Sequence, residues 1–313
     1  MPSSKPLTRE RLLTLAILSA SVFHNKQSLD INSIMATQLL VPPHACDSHL
    51  HVFDPRFREI LPADDMGGIS CTASAYARVQ QALKVDRAVV VTPRNYDTDN
   101  AVTLDAIAQI GVDRARGVAV LRPDVDDSTL VRLNAQGIRG VRFTLYTPEH
   151  APTSFDMIEP IAARIKDLGW HVQLHWTADQ VVAHEELLDR LPVDIVFDHL
   201  GRLPVARGLD HPAAAIIERL MRDGRAWMKL SAPYLDSLVG SDGAYADVDR
   251  TAKHWIKVAP ERVVWGSDWP HTSLKQPPDT ALLMEKLFSW VEDQASLDRI
   301  LVSNPTRLYW GTA

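Results

Sequence analysis

From Cys46 onward, short runs rich in Val and Ile alternate with longer stretches of helical period, and this alternation constrains the fold more than any other feature of the chain. Such alternation predicts βαβ units and a parallel sheet. The runs predict strands at Cys46 to Phe53, Arg87 to Thr92, Ala115 to Leu121, Gly140 to Leu145, His171 to His175, Asp194 to Asp198, Ala226 to Ser231 and Arg262 to Gly266. Helical periodicity fills intervals such as Asp99 to Ile110, Phe155 to Leu168, Ala178 to Arg190, Pro212 to Arg222 and Ala244 to Val258. Eight βα units in about 260 residues match the usual size of a single (β/α)8 TIM barrel, roughly 250 residues, in the α/β class. An open doubly wound sheet would place a glycine-rich phosphate loop after the first strand, where this chain has His51-Val-Phe-Asp-Pro55.

The chain has 313 residues, 46% of them hydrophobic, enough to bury a large core. The expected division is an N-terminal extension over residues 1–40, poorly ordered or a misassigned start, followed by the barrel over 41–313. In the extension, Lys5, Arg9 and Arg11 precede an apolar stretch from Leu12 to Phe23 that is too short to span a bilayer. A secretion signal over residues 1–23 competes there with an added helix and with translation upstream of a true start at Met35. The cleavage pattern after Phe23 is poor, so a cytoplasmic protein is expected. Asp54 to Ser70 reads as a long first loop over the barrel mouth, and Gln294 to Trp310 as a closing helix and tail. The formal charge of -6, with no basic block, argues against nucleic acid and against an anionic membrane surface as partners. Cys46 and Cys71 are expected to be reduced.

Within the first strand, His49 and His51 lie on alternate residues and so on one face. A strand that only filled a core would carry Val or Ile there, since a buried imidazole needs hydrogen-bond partners. Further polar residues fall at strand C-terminal ends, the face where barrel enzymes build their sites: His175, His199 and Asp268. Singly, each has a bland reading, His175 as a core histidine, His199 as a partner of Asp198, Asp268 as a turn cap. Convergence on one rim favours a site. His49, His51, His175 and Asp268 make a nitrogen and oxygen ligand set for one divalent metal, Zn²⁺ first and Mn²⁺ second. Thr144, in place of a bridging Lys or Glu, points to one metal rather than two.

The pieces Asp47-Ser-His-Leu-His-Val-Phe53, Thr98-Asp-Asn100, Gly137-Ile-Arg-Gly-Val-Arg-Phe143, Val196-Phe-Asp-His-Leu-Gly-Arg202, Trp265-Gly-Ser-Asp-Trp-Pro-His271 and Asn304-Pro-Thr-Arg-Leu-Tyr309 run in order across Cys46 to Trp310. Together they resemble the amidohydrolase superfamily, in its amidohydrolase 2 type and its lactone-acting branch. The resemblance implies a barrel with His49 and His51 at a metal or carbonyl site, and His199 on the reacting oxygen. It also implies that Asp268 handles the proton of an attacking water and that His271 orients the substrate. Some members of the branch lack a histidine matching His175 and are thought to work without metal, so metal-free action stays open.

The expected reaction is hydrolytic opening of a small anionic lactone, carboxylated or sulfonated, in the catabolism of an aromatic or sugar acid. Arg142 and Arg94 are the expected anion holders, with Arg202, Tyr146 and His150 further out, because a guanidinium grips a carboxylate bidentately. The bland reading of each arginine is a surface salt bridge. Trp176, Trp269 and Tyr234 are candidates to wall the pocket. The rival reactions are metal-dependent decarboxylation of an unsaturated carboxylic acid and lactone isomerisation. A homodimer is the expected assembly.

Overall fold

The structure is a computed structural model that describes residues 39–60, 70–272, 274 and 276–311. The N-terminal extension, its secretion-signal reading and the start at Met35 lie outside the described residues, as does the middle of the expected first loop.

Eight strands form one parallel sheet in chain order: β1 (Cys46–Leu50), β2 (Arg87–Val91), β3 (Ala115–Ala119), β4 (Ile138–Thr144), β5 (His171–His175), β6 (Ile195–Phe197), β7 (Ala226–Leu230) and β8 (Val263–Trp265). Helices lie between successive strands, as a single (β/α)8 barrel requires. The ladders run through completely buried Val and Ile residues, the signature of strands covered on both faces.

Helix boundaries follow local chemistry. Pro212–Arg222 forms as expected, with the His211 ring accepting from Ala213 N, Pro212 in the first turn, and Ile217 and Leu220 buried against the sheet. The interval from Ala178 to Arg190 divides at His184, whose backbone leaves the helical region while its ring stacks on Phe155 at 3.9 Å. Ala244 and Tyr245 have positive φ, so the helix expected from Ala244 begins at Asp249.

The first and last strands meet at the seam between β8 and β1. There Leu50 of β1 bridges to Trp269 in the segment after β8, with two backbone bonds of 2.8 Å, Asp268 N to His49 O and His51 N to Trp269 O. Gly266 permits this approach: a Cβ there would lie 2.5 Å from His49 Cβ and 2.7 Å from His49 N. At the opposite end of the barrel, Tyr309 packs with Cys46, Val89, Val91 and Val118, and Trp310 lies between the guanidinium groups of Arg87 and Arg116 at 4.6 and 4.8 Å. Among the described residues, no helix is long and apolar enough to cross a membrane.

Candidate active site

Alternate residues of β1 build the centre of the site. Asp47 is buried and accepts from Ser267 N at 2.8 Å, Ser267 Oγ at 2.5 Å and Tyr76 OH at 2.9 Å, tying β1 to the segment after β8. Burial pushes its carboxyl up to about 6, against the pull of those donors. One step on, His49 Nε2 lies 3.2 Å from His51 Nε2 and 3.3 Å from Asp268 Oδ1. His51 Nε2 is 3.5 Å from the same oxygen. Because His51 Nδ1 sits 2.8 Å from the carbonyl of Val91, it carries the hydrogen and Nε2 keeps its lone pair.

Asp268 is fixed from the other side, where Tyr234 OH donates to Oδ2 at 2.5 Å. His271 approaches Tyr234 OH at 3.4 Å through Nδ1 and Thr280 Oγ1 at 3.0 Å through Nε2. His199 Nδ1 is 2.9 Å from Ser231 Oγ rather than paired with Asp198. His199, Arg202, Asp268 and His271 all have positive φ, a cost of about 1–3 kcal/mol each that turns strand ends sharply into the mouth.

Beneath the imidazoles lies a network that sequence reasoning missed. Asp198 accepts from Arg142 Nε at 2.9 Å and Gln173 Nε2 at 3.1 Å, and its other oxygen is 3.3 Å from His49 Nδ1 and 3.7 Å from Lys229 Nζ. Lys229 Nζ also donates to Gln173 Oε1 at 2.7 Å and approaches His49 Nδ1 at 3.1 Å. Burial pushes the Lys229 ammonium down to about 8. Burial favours a neutral Asp198, but Arg142, His49 and Lys229 together hold it well below the carboxylate range. The available signal was a lysine within β7, whose residues are otherwise apolar.

His49, His199 and Asp268 each offer a ligand atom within 4.8 Å of the others, and His51 adjoins them. Burial pushes His49 well below its usual range and His199 down to about 4, so both present lone pairs at neutral pH. Against burial, the surrounding His199, His51 and His49 keep Asp268 ionised. Neutral imidazoles beside a carboxylate suit a divalent metal of the zinc type.

His175 adjoins this group through His199, whose ring it meets edge-on at 5.0 Å. Its Nε2 accepts from Arg202 Nη1 at 2.9 Å, and its ring stacks on Tyr146 with centroids 5.3 Å apart. Burial, then the charges of His199, Arg142 and Arg202, push it well below the usual histidine range. Arg202 is itself bound through Nε and Nη2 to both oxygens of Asp236, at 2.8 and 2.9 Å. Arg94, half-buried in the turn after β2, reaches the carbonyl of His150 at 3.4 Å.

Comparison with known proteins agrees with this architecture. The family described as Amidohydrolase matches residues 46–310. The chain is 35% identical over 284 residues to the 2-pyrone-4,6-dicarboxylate hydrolase of Comamonas testosteroni, covering 87% of this chain and 92% of that protein. It is 31% identical to the 4-sulfomuconolactone hydrolase of Hydrogenophaga intermedia, covering 87% and 90%. A ligand-free crystal structure of an Agrobacterium tumefaciens protein superposes with a TM-score of 0.77 at 27% identity, covering 86% and 94%. With the seam motifs inside the matched span and both relatives covered almost end to end, the chain is an enzyme that belongs to the amidohydrolase family.

Proposed function

We propose that the site opens the ring of a small anionic lactone by attack of water, in the catabolism of an aromatic acid. The observation that carries this reading is the divided carboxylate of Asp268: Tyr234 holds one oxygen, and the other faces His49 and His51. Lactone hydrolysis by the two relatives supports the same chemistry.

In this reading Asp268 Oδ1 takes a proton from the attacking water and returns it to the leaving oxygen. Tyr234 keeps the carboxylate from swinging away between the two transfers. His199, oriented by Ser231, hydrogen-bonds the oxygen on which negative charge develops. His271 supports the same wall through Tyr234 and Thr280. Arg142 is committed to Asp198 through Nε alone, and its terminal amino groups meet no partner among the described residues. They are the natural grip for a carboxylate or sulfonate, with Arg94 nearer the rim.

His49, His51 and Asp268, with His199 beside them, would hold one divalent metal, zinc before manganese. Such an ion, when bound, supplies polarisation of the acyl carbonyl and acidification of nearby water. His175, with Nε2 taken by Arg202, lies outside this set. The cytoplasm is the proposed compartment, where Cys46 and Cys71 would stay as the free thiols they are here.

Proton balance in weak buffer tests the reaction. The enzyme is mixed with 2-pyrone-4,6-dicarboxylate, a pyrone monocarboxylate, muconolactones and unsaturated carboxylic acids. Acid release on lactone addition is expected. Proton uptake with the unsaturated acids would replace the reading with decarboxylation, and lactone turnover without proton change would replace it with isomerisation.

A further inference from the structure

We propose that the Arg202–Asp236 ion pair makes this site selective for lactones carrying one anionic group over those carrying two. The proposal rests on the lactone reading above and deepens it.

A guanidinium grips a carboxylate through one of two forks, Nε with one terminal amino group or the two terminal amino groups together. In Arg202 the first fork is filled by Asp236, with both oxygens at 2.8 and 2.9 Å. The second fork needs Nη1, which donates one of its two N–H groups to His175 Nε2 at 2.9 Å. The face of the group is covered as well, since the Tyr146 ring lies 4.1 Å from the guanidinium carbon. Only 6% of the Arg202 side chain reaches solvent, whereas 18% of Asp236 does. A second carboxylate arriving on this side therefore meets a guanidinium whose charge is already paired, and beside it the more exposed carboxylate of Asp236.

Arg142 is different. Its single bond to Asp198 uses Nε, and its terminal amino groups have no partner among the described residues. The site thus offers one open guanidinium and one closed one. On the closed side, Tyr146 and His175 form a stacked, uncharged wall that fits a flat ring or a neutral oxygen.

The test compares kcat/KM for a 2-pyrone ring bearing one carboxylate with the same ring bearing two, at fixed ionic strength, using the metal-loaded enzyme. The monocarboxylate is expected to be favoured by about tenfold or more, the scale of a like charge placed beside a substrate anion. Asp236→Asn keeps an acceptor for Arg202 and removes the charge. It should shrink that ratio by about tenfold, mainly by lowering KM for the dicarboxylate. Benzoate and isophthalate, which cannot be hydrolysed, give a parallel readout by calorimetric titration. Tighter binding of benzoate with no lactone turned over would uphold the selectivity and sink the lactone reading. Wild-type enzyme that prefers the dicarboxylate, or binds isophthalate as tightly as benzoate, would overturn the proposal whether or not the variant folds.

Discussion

At the mouth of the barrel, each buried imidazole of the candidate site has a polar partner at a defined ring atom, whereas at the closed end His171 is just as buried and bonds no side chain among the described residues. His171 opens β5 and His175 ends it, so a single strand carries both situations. The lower ring fills space: a Cβ on Gly140 would come within 2.5 Å of it, and Tyr309 packs edge-on at 5.5 Å. The upper rings are aimed, through Val91, Ser231, Arg202 and Lys229. Burial of a histidine is therefore a poor sign of function by itself. What separates the two ends is whether the neighbours fix a tautomer and point a lone pair at a shared space.

The largest expected break in this contrast comes from Asp268→Asn. It should lower kcat/KM by about 10³-fold, the scale of a lost general base, with little change in melting temperature. Steady-state kinetics and circular dichroism check it, and a loss of less than tenfold would remove Asp268 from the chemistry.

Next in size is removal of metal. Chelation should cost about 10²-fold or more in activity, zinc or manganese should restore it, and elemental analysis should find one ion per chain. Full activity after verified demetallation would leave the mouth a metal-free acid and base site.

Gly266→Ala sharpens the contrast differently, because its methyl would strike the backbone of His49. A destabilisation of about 1–3 kcal/mol is expected in urea unfolding, together with lower kcat, since His49 must shift to make room. Unchanged stability would mean that the seam is looser than its two backbone bonds imply.

The smallest effect belongs to the closed end. Burial pushes His171 down to about 3, so below about pH 6.5 the unfolded chain takes up a proton that the folded chain refuses. Stability is lost as pH falls from 6.5 toward 3, at up to about 1.4 kcal/mol per pH unit from this group. His171→Leu should make that slope shallower between pH 6 and pH 4 and leave kcat at pH 7 unchanged. An identical slope in the variant would show that His171 does not set it.

The barrel was legible because covered parallel strands demand nearly continuous Val and Ile, and that demand is written locally in each run. Asp268 and the paired histidines were legible too, since they break the apolar pattern at strand ends. Lys229, Gln173 and Asp236 were not. Lys229 breaks an apolar strand, but the roles of all three depend on partners that only three-dimensional closure supplies, Asp198 for the first two and Arg202 for the third. The same limit applies to the arginines: spacing alone does not distinguish Arg142, held through Nε alone, from Arg202, which gives its bidentate grip to Asp236.

The seam between β8 and β1 also bears on when activity can arise. Asp47 and Ser267 are 220 residues apart, yet the bonds that join them belong to the same junction that brings Asp268 against His49. A nascent or truncated chain lacking its last strand can hold most of the barrel's ladders but none of this junction. Catalytic competence thus requires the closed ring, and the appearance of turnover during refolding would time that closure.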